Sequence, residues 1–410
     1  MILGDQAPVT FLAFASVATV IAYPVLAILT FVLLSDSIPA WIARLRPSRL
    51  LSPMPILGLV LLFGIVIQVP SFIKSDTYTS TDIVPSVICA SRSVLAGHDP
   101  YELPELQCLR EMHIASYTST PLRAGPFRGD TFSPSRLQVD RYVHRINPAH
   151  PTVAFPEFGY PPMAFVWMLP VASGAHSLWT AWILLALGLW LFAVLRISGK
   201  WWPAVIFVVL GQIGMGALTN AAIQGDAEFF AYAFMALALF LIDAPRRSGV
   251  ALGIAVATNP LAWVMAPAYL LFTRTLPGFR QRLSWLGGTM IITVGPWVLI
   301  YHDAMKRMVD LVIQPEFPLG IGIVSLALFA PHLPLLAKSL YTGGFAFGEF
   351  GILALGLWKG RYLPAVVVMS IALLWISWRS NSNYLVQLPL LACGMTIGLE
   401  RVGWTSGESP

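Results

Sequence analysis

Long apolar runs separated by short polar clusters set the pattern of this chain. Runs near helix-spanning length recur at 9–34, 54–72, 177–195, 201–219, 227–243, 284–301, 341–358, 362–378 and 384–399. A helix needs about 20 apolar residues to cross a bilayer, so nine full spans are predicted. Three further apolar stretches fit less well. Residues 161–173 and 319–330 are short, and 249–273 is interrupted by Asn259-Pro260. Non-helical backbone at membrane depth is tolerated where protein covers it or it lines a cavity. The first two are therefore expected to dip into the membrane, and the third to form a hairpin turning at Asn259-Pro260. If they cross instead, the count rises to between eleven and thirteen.

One long polar stretch, 73–158, interrupts the apolar rhythm. Within it, apolar or small residues at 83, 84, 87, 88, 91, 94 and 95 recur with helical spacing. Pro85 falls in the first turn and Gly97 stands where a C-cap belongs. The pattern predicts an amphipathic helix lying on the membrane surface, opened by Asp82. As an N-cap Asp82 would contribute roughly 1 kcal/mol; at the rim of a cavity the same carboxylate is a general base. Gly97-His98-Asp99-Pro100-Tyr101 closes the helix with a turn, and 113–150 reads as irregular loop. Glu157-Phe-Gly-Tyr160-Pro-Pro162 returns the chain to the membrane, with Tyr160 as an interfacial anchor.

Composition strengthens the membrane expectation. Hydrophobic residues make up 57% of the 410 positions and charged residues 11%, against about 25% charged in soluble domains. Of the 45 charges, eight basic and nine acidic lie within 73–158, leaving 28 in the other 324 residues. The predicted fold class is therefore an all-α polytopic membrane protein with about 9–13 membrane helices and one large outer loop. The whole of 1–410 reads as a single integral membrane domain, multi-pass in a plasma membrane.

The net charge of +5 is no nucleic-acid signal, because the basic residues sit in short clusters between apolar runs. Arg44, Arg46 and Arg49, then Arg196 and Lys200, Arg246 and Arg247, and Arg274, Arg280 and Arg282 fit cytoplasmic loops, as do Lys359, Arg361 and Arg401. That orientation puts 73–158 outside. The start, Met1 to Thr10, has no basic segment, so the run 9–34 is read as a retained span. Cys89 and Cys108 both fall in the polar stretch; a disulfide between them and two free thiols are both open readings.

The chain has no phosphate-binding glycine loop, no dinucleotide fingerprint, no His-Glu-x-x-His and no Gly-x-Ser-x-Gly. It also lacks an Asp-x-Asp pair for a nucleotide-bound metal. No metal and no cofactor are expected, and the chemistry must use an already activated substrate.

An Asp opening a helix about fifteen residues before Gly-x-Asp-Pro-Tyr, followed by a Tyr-Pro-Pro re-entry, resembles glycosyltransferase family 87 of the GT-C class. Gln224-Gly225-Asp226-Ala227-Glu228, Ser248-Gly249-(x)3-Gly253 and Asn383-Tyr384-(x)4-Pro389 are similar to further segments of that family. The likeness is patchy over roughly 75–390. The chain departs from the family where Gly-Gln-x-Asn is not intact, where Asn259 replaces a common Lys, and where Ile-Val-Pro follows Asp82.

The resemblance implies inverting transfer of a monosaccharide, mannose or arabinofuranose, from a polyprenyl-phosphate donor to a lipid or glycan hydroxyl on the outer face. Asp82, at the matching position, would be the base. Negative charge growing on the donor phosphate needs cations, and the predicted orientation puts His302, Lys306, Arg307, Lys338 and Arg379 on that side. Arg379 ranks first among them, because Ser377 to Tyr384 gathers polar groups between two spans. Substrate-binding candidates are Tyr101, Gln224, Asp226, Glu228, Glu349, Asn383 and Tyr384. Glu349 is included because a carboxylate within an apolar run is a functional-site hypothesis by default. Two other readings stay open: a transporter or flippase for a lipid-linked or small polar substrate, and an oligosaccharide ligase using polyprenyl-linked sugars.

Overall fold

The structure is a computed structural model. It describes residues 83–102, 158–175, six positions between 181 and 189, 227–274, 276–313, 338–358 and Ile376. The apolar runs 9–34, 54–72, 201–219, 319–330 and 384–399 lie outside these residues. So does the loop 103–157.

The first described helix, α1 (Ile83–Leu95), starts directly after Asp82. It ends on Gly97 at φ +78°, with the His98 N–H donating to Ser93 O at 2.9 Å and the Gly97 N–H to Val94 O at 3.0 Å. These two bonds form a Schellman cap, which favours glycine at the left-handed position. The predicted C-cap is therefore present. The predicted surface position is not, because Ile83 through Ser91, together with Ser93, are buried. The physical reason lies in the other face, where Ser86, Cys89, Ala90 and Ser93 are small enough to pack. The Ser91 hydroxyl shares its proton between Val87 O and Phe165 O, each at 2.8 Å. Cys89 on this helix is disulfide-bonded; Cys108 lies outside the described residues.

Two short helices, α2 (Pro162–Val166) and α3 (Leu169–Ala172), follow the Tyr-Pro-Pro sequence and pack on α1. Pro162 occupies the first helical position, where its missing N–H is harmless. Next come α4 (Ala227–Phe240), α5 (Pro245–Thr258), α6 (Leu261–Thr273), α7 (Phe279–Thr293) and α8 (Gly295–Ile300). Last are α9 (Ala304–Ile313) and α10 (Lys338–Trp358).

Helix α5 is the hub, packed chiefly between α4 and α7. Its Gly249 and Gly253 let α7 approach closely. A Cβ on Gly253 would lie 2.6 Å from Thr289 Cβ, and one on Gly249 would collide with Arg282 O. A polar cluster closes the end of α4. Ser248 donates to Ala238 O at 2.8 Å and hydrogen-bonds to the Tyr269 hydroxyl, while Arg282 Nη2 donates to Ile242 O at 2.7 Å. Side chains from α5, α6 and α7 thus satisfy carbonyls that a helix end leaves unpaired.

Asn259-Pro260 does break the run 249–273. Asn259 is extended (φ −149°, ψ 138°), as a residue before proline prefers, and its Oδ1 accepts the Leu261 N–H at 2.9 Å. The run 284–301 is interrupted differently, at Val294, which stays in the right-handed helical region (φ −107°, ψ −37°) ahead of Gly295-Pro296.

These cuts correct the expected polytopic membrane bundle and the multi-pass plasma-membrane location drawn from it. Among the described residues no helix is long and apolar enough to cross a membrane. Of the expected spans, 284–301 is divided at Val294 into two shorter helices, and 227–243 ends as a helix at Phe240. The 21-residue α10 has the length, but it carries Lys338, Glu349 and five glycines.

Candidate functional site

The helix-closing turn of α1 is held from both sides. Asp99 Oδ1 accepts the Tyr101 N–H at 2.8 Å, and Ser93 Oγ donates to Asp99 O at 3.3 Å. Tyr101 is fully buried, and its hydroxyl donates to Tyr160 O at 3.2 Å. One hydrogen bond therefore ties the Gly-x-Asp-Pro-Tyr turn to the Tyr-Pro-Pro re-entry, 59 positions away.

Aromatic rings carry the contact onward. Tyr101 packs edge-on to Phe165 with centroids 6.2 Å apart, and Phe165 meets Trp297 of α8 at 4.9 Å and 90°. Trp297 stacks on Tyr301 at 6.2 Å. Phe158 closes the cluster against Tyr101, Tyr160 and Phe165. Edge-to-face and stacked ring pairs of this kind add about 0.5–1.5 kcal/mol each beyond burial. This rigid wall sets the segment 301–307 beside the turn.

The electrostatics show the result of that placement. Burial pushes the Asp99 carboxyl above its ordinary range, the Tyr101 N–H draws it down, Glu102 and Asp303 raise it, and Arg307 lowers it. Burial, then the charge of Asp99, also raises Tyr101 and Tyr301. Asp99 itself is half-exposed. A partly desolvated carboxylate with a raised proton affinity is suited to taking up a proton.

Of the residues singled out in the sequence, Tyr101, His302, Lys306 and Arg307 come to this region. Tyr101 lies inside the wall with its hydroxyl engaged. His302 and Lys306 are exposed, and Arg307 is half-exposed on the first turn of α9. Exposed apolar side chains flank these cations: Leu299 (80%), Ile300 (61%), Met305 and Val309. Glu228 lies on the first turn of α4 and Glu349 near the middle of α10. Asp82, Gln224, Asp226, Arg379, Asn383 and Tyr384 lie outside the described residues.

Sequence reasoning passed over Asp99, Trp297, Tyr301 and Asp303 as functional candidates. Asp99 was visible only as a turn residue, and nothing local links it to a cation two hundred positions later. Among the described residues no group of three His, Cys, Asp or Glu side chains is placed to hold a metal ion. No family model, no curated protein and no solved structure matches the chain.

Proposed function

We propose that this chain is a glycosyltransferase that moves a monosaccharide, mannose or arabinofuranose, from a polyprenyl-phosphate donor to a hydroxyl acceptor with inversion. The observation that supports the reading is the half-exposed Asp99 carboxylate, held in its turn by the Tyr101 N–H and lying within electrostatic range of Asp303 and Arg307. Attack by the acceptor hydroxyl at the sugar C1 forms one C–O bond and breaks the bond to the phosphate oxygen. Asp99 takes the hydroxyl proton, and Arg307, with Lys306 and His302, meets the charge growing on the departing phosphate. Leu299, Ile300, Met305 and Val309 supply exposed apolar surface beside those cations, as a prenyl chain attached to the phosphate requires.

Asp82, the base implied by the family resemblance, lies outside the described residues. A base must lie within hydrogen-bond reach of the proton it takes, and Asp99 is the carboxylate assigned that role here.

The test measures polyprenyl phosphate released by the parent, by Asp99→Asn and by Asp82→Asn, with mannose- and arabinose-bearing donors. Loss on the order of a hundredfold or more in Asp99→Asn alone is the expected result. The same loss confined to Asp82→Asn would return the base to Asp82. Release of polyprenyl diphosphate would favour an oligosaccharide ligase, and absence of any released lipid with either donor would sink the transfer reading.

A further inference from the structure

The opposite end of α7 is built around arginine. There the end of α4, the start of α5, the end of α6 and the start of α7 converge. Arg282 Nη2 reaches Ile242 O, and Pro245 packs against Gly278. With its amide oxygen turned toward Arg246, Gln281 accepts from Arg246 Nε at 2.6 Å and Nη2 at 3.1 Å. Arg282 is fully buried in this junction. Arg246, Arg247, Arg274 and Arg280 are exposed around it, and Asp243 is the one acidic residue between 240 and 285. Leu283 and Trp285 stand out beside them at 45% and 46% exposure.

Two features of this patch point to one kind of partner. Four exposed guanidinium groups against one carboxylate attract anions, and a guanidinium matches phosphate with two parallel hydrogen bonds. An indole and a leucine among the charges are what the boundary between headgroups and acyl chains accommodates. The patch is also separate from the candidate site. The 15 residues of α7 rise about 22 Å, with α8 beyond them, so these arginines and Arg307 do not hold the same phosphate.

We propose that this arginine end docks on anionic lipid headgroups at a membrane surface. The docking is independent of the transfer reaction, and failure of either leaves the other standing. Each arginine near an anionic surface is worth roughly fivefold in partitioning. Neutralising three of them weakens binding on the order of a hundredfold.

The test is flotation of the full-length protein, synthesised in the presence of vesicles of phosphatidylcholine alone or mixed with phosphatidylglycerol. The comparison variant is Arg247→Gln/Arg274→Gln/Arg280→Gln, which leaves the Gln281-bound Arg246 and the buried Arg282 in place. The parent is expected to prefer the phosphatidylglycerol vesicles, to lose that preference in high salt, and to lose most of it in the variant. Circular dichroism of the variant establishes that its helices form; if they do not, the parent's lipid and salt comparison decides alone. Equal flotation on both vesicle types, or a preference that survives high salt or persists in the folded variant, overturns the proposal.

Discussion

Asp99 is a turn residue whose side chain has two possible tasks, and substitution separates them. Its Oδ1 accepts the Tyr101 N–H, a role that asparagine keeps, so Asp99→Asn leaves the turn intact while removing the titrating group. The charges around it give a pH prediction with a definite sign. Arg307 holds the Asp99 carboxyl down, whereas Glu102 and Asp303 hold it up. A base works deprotonated, so Arg307→Gln moves the acid limb of the kcat/KM profile to higher pH, and Asp303→Asn moves it to lower pH. A profile that does not move in either variant excludes Asp99 as the titrating base. At Gly97, φ is +78° and the space for a Cβ is open, so Gly97→Ala meets backbone strain without a clash. It should destabilise the fold by about 1–2 kcal/mol, read from chemical denaturation.

At the scale of elements, the contact between α5 and α7 depends on two missing side chains. A Cβ on Gly253 would press on Thr289 Cβ, which is rigidly attached to the α7 backbone and cannot swing aside. Gly253→Ala should therefore destabilise by about 1–3 kcal/mol, although the same change in an exposed helix would be favourable by about 1 kcal/mol. A variant as stable as the parent in denaturant would mean that the close approach contributes nothing. Element boundaries were partly legible in the sequence for local reasons. Gly97, Pro162 and Asn259-Pro260 act through their own backbone chemistry, and each marks a helix end or start in the structure. The surface position expected of α1 was not legible. Apolar periodicity reports which residues avoid water, but Ser86 and Ser93, off the apolar stripe, are buried as well, with Ser93 hydrogen-bonded to Asp99 O.

For the whole molecule, local pattern and tertiary structure part company in a specific way. The 57% hydrophobic composition and the long runs predicted helices, and the described residues are mainly helical. Asn259-Pro260 ended a helix inside its run, whereas Pro267 lies within α6 and five glycines lie within α10 without ending either. The amino-acid sequence by itself determined where helices start and stop at prolines and glycines, and which segments carry charge, because those effects act within a few residues. Only the tertiary structure decided that α1 is enclosed, that α5 lies against α7 at a pair of glycines, and that Asp99 comes into the field of Arg307. Those outcomes depend on contacts between positions tens to hundreds of residues apart, and no local periodicity encodes which of the many apolar faces will meet.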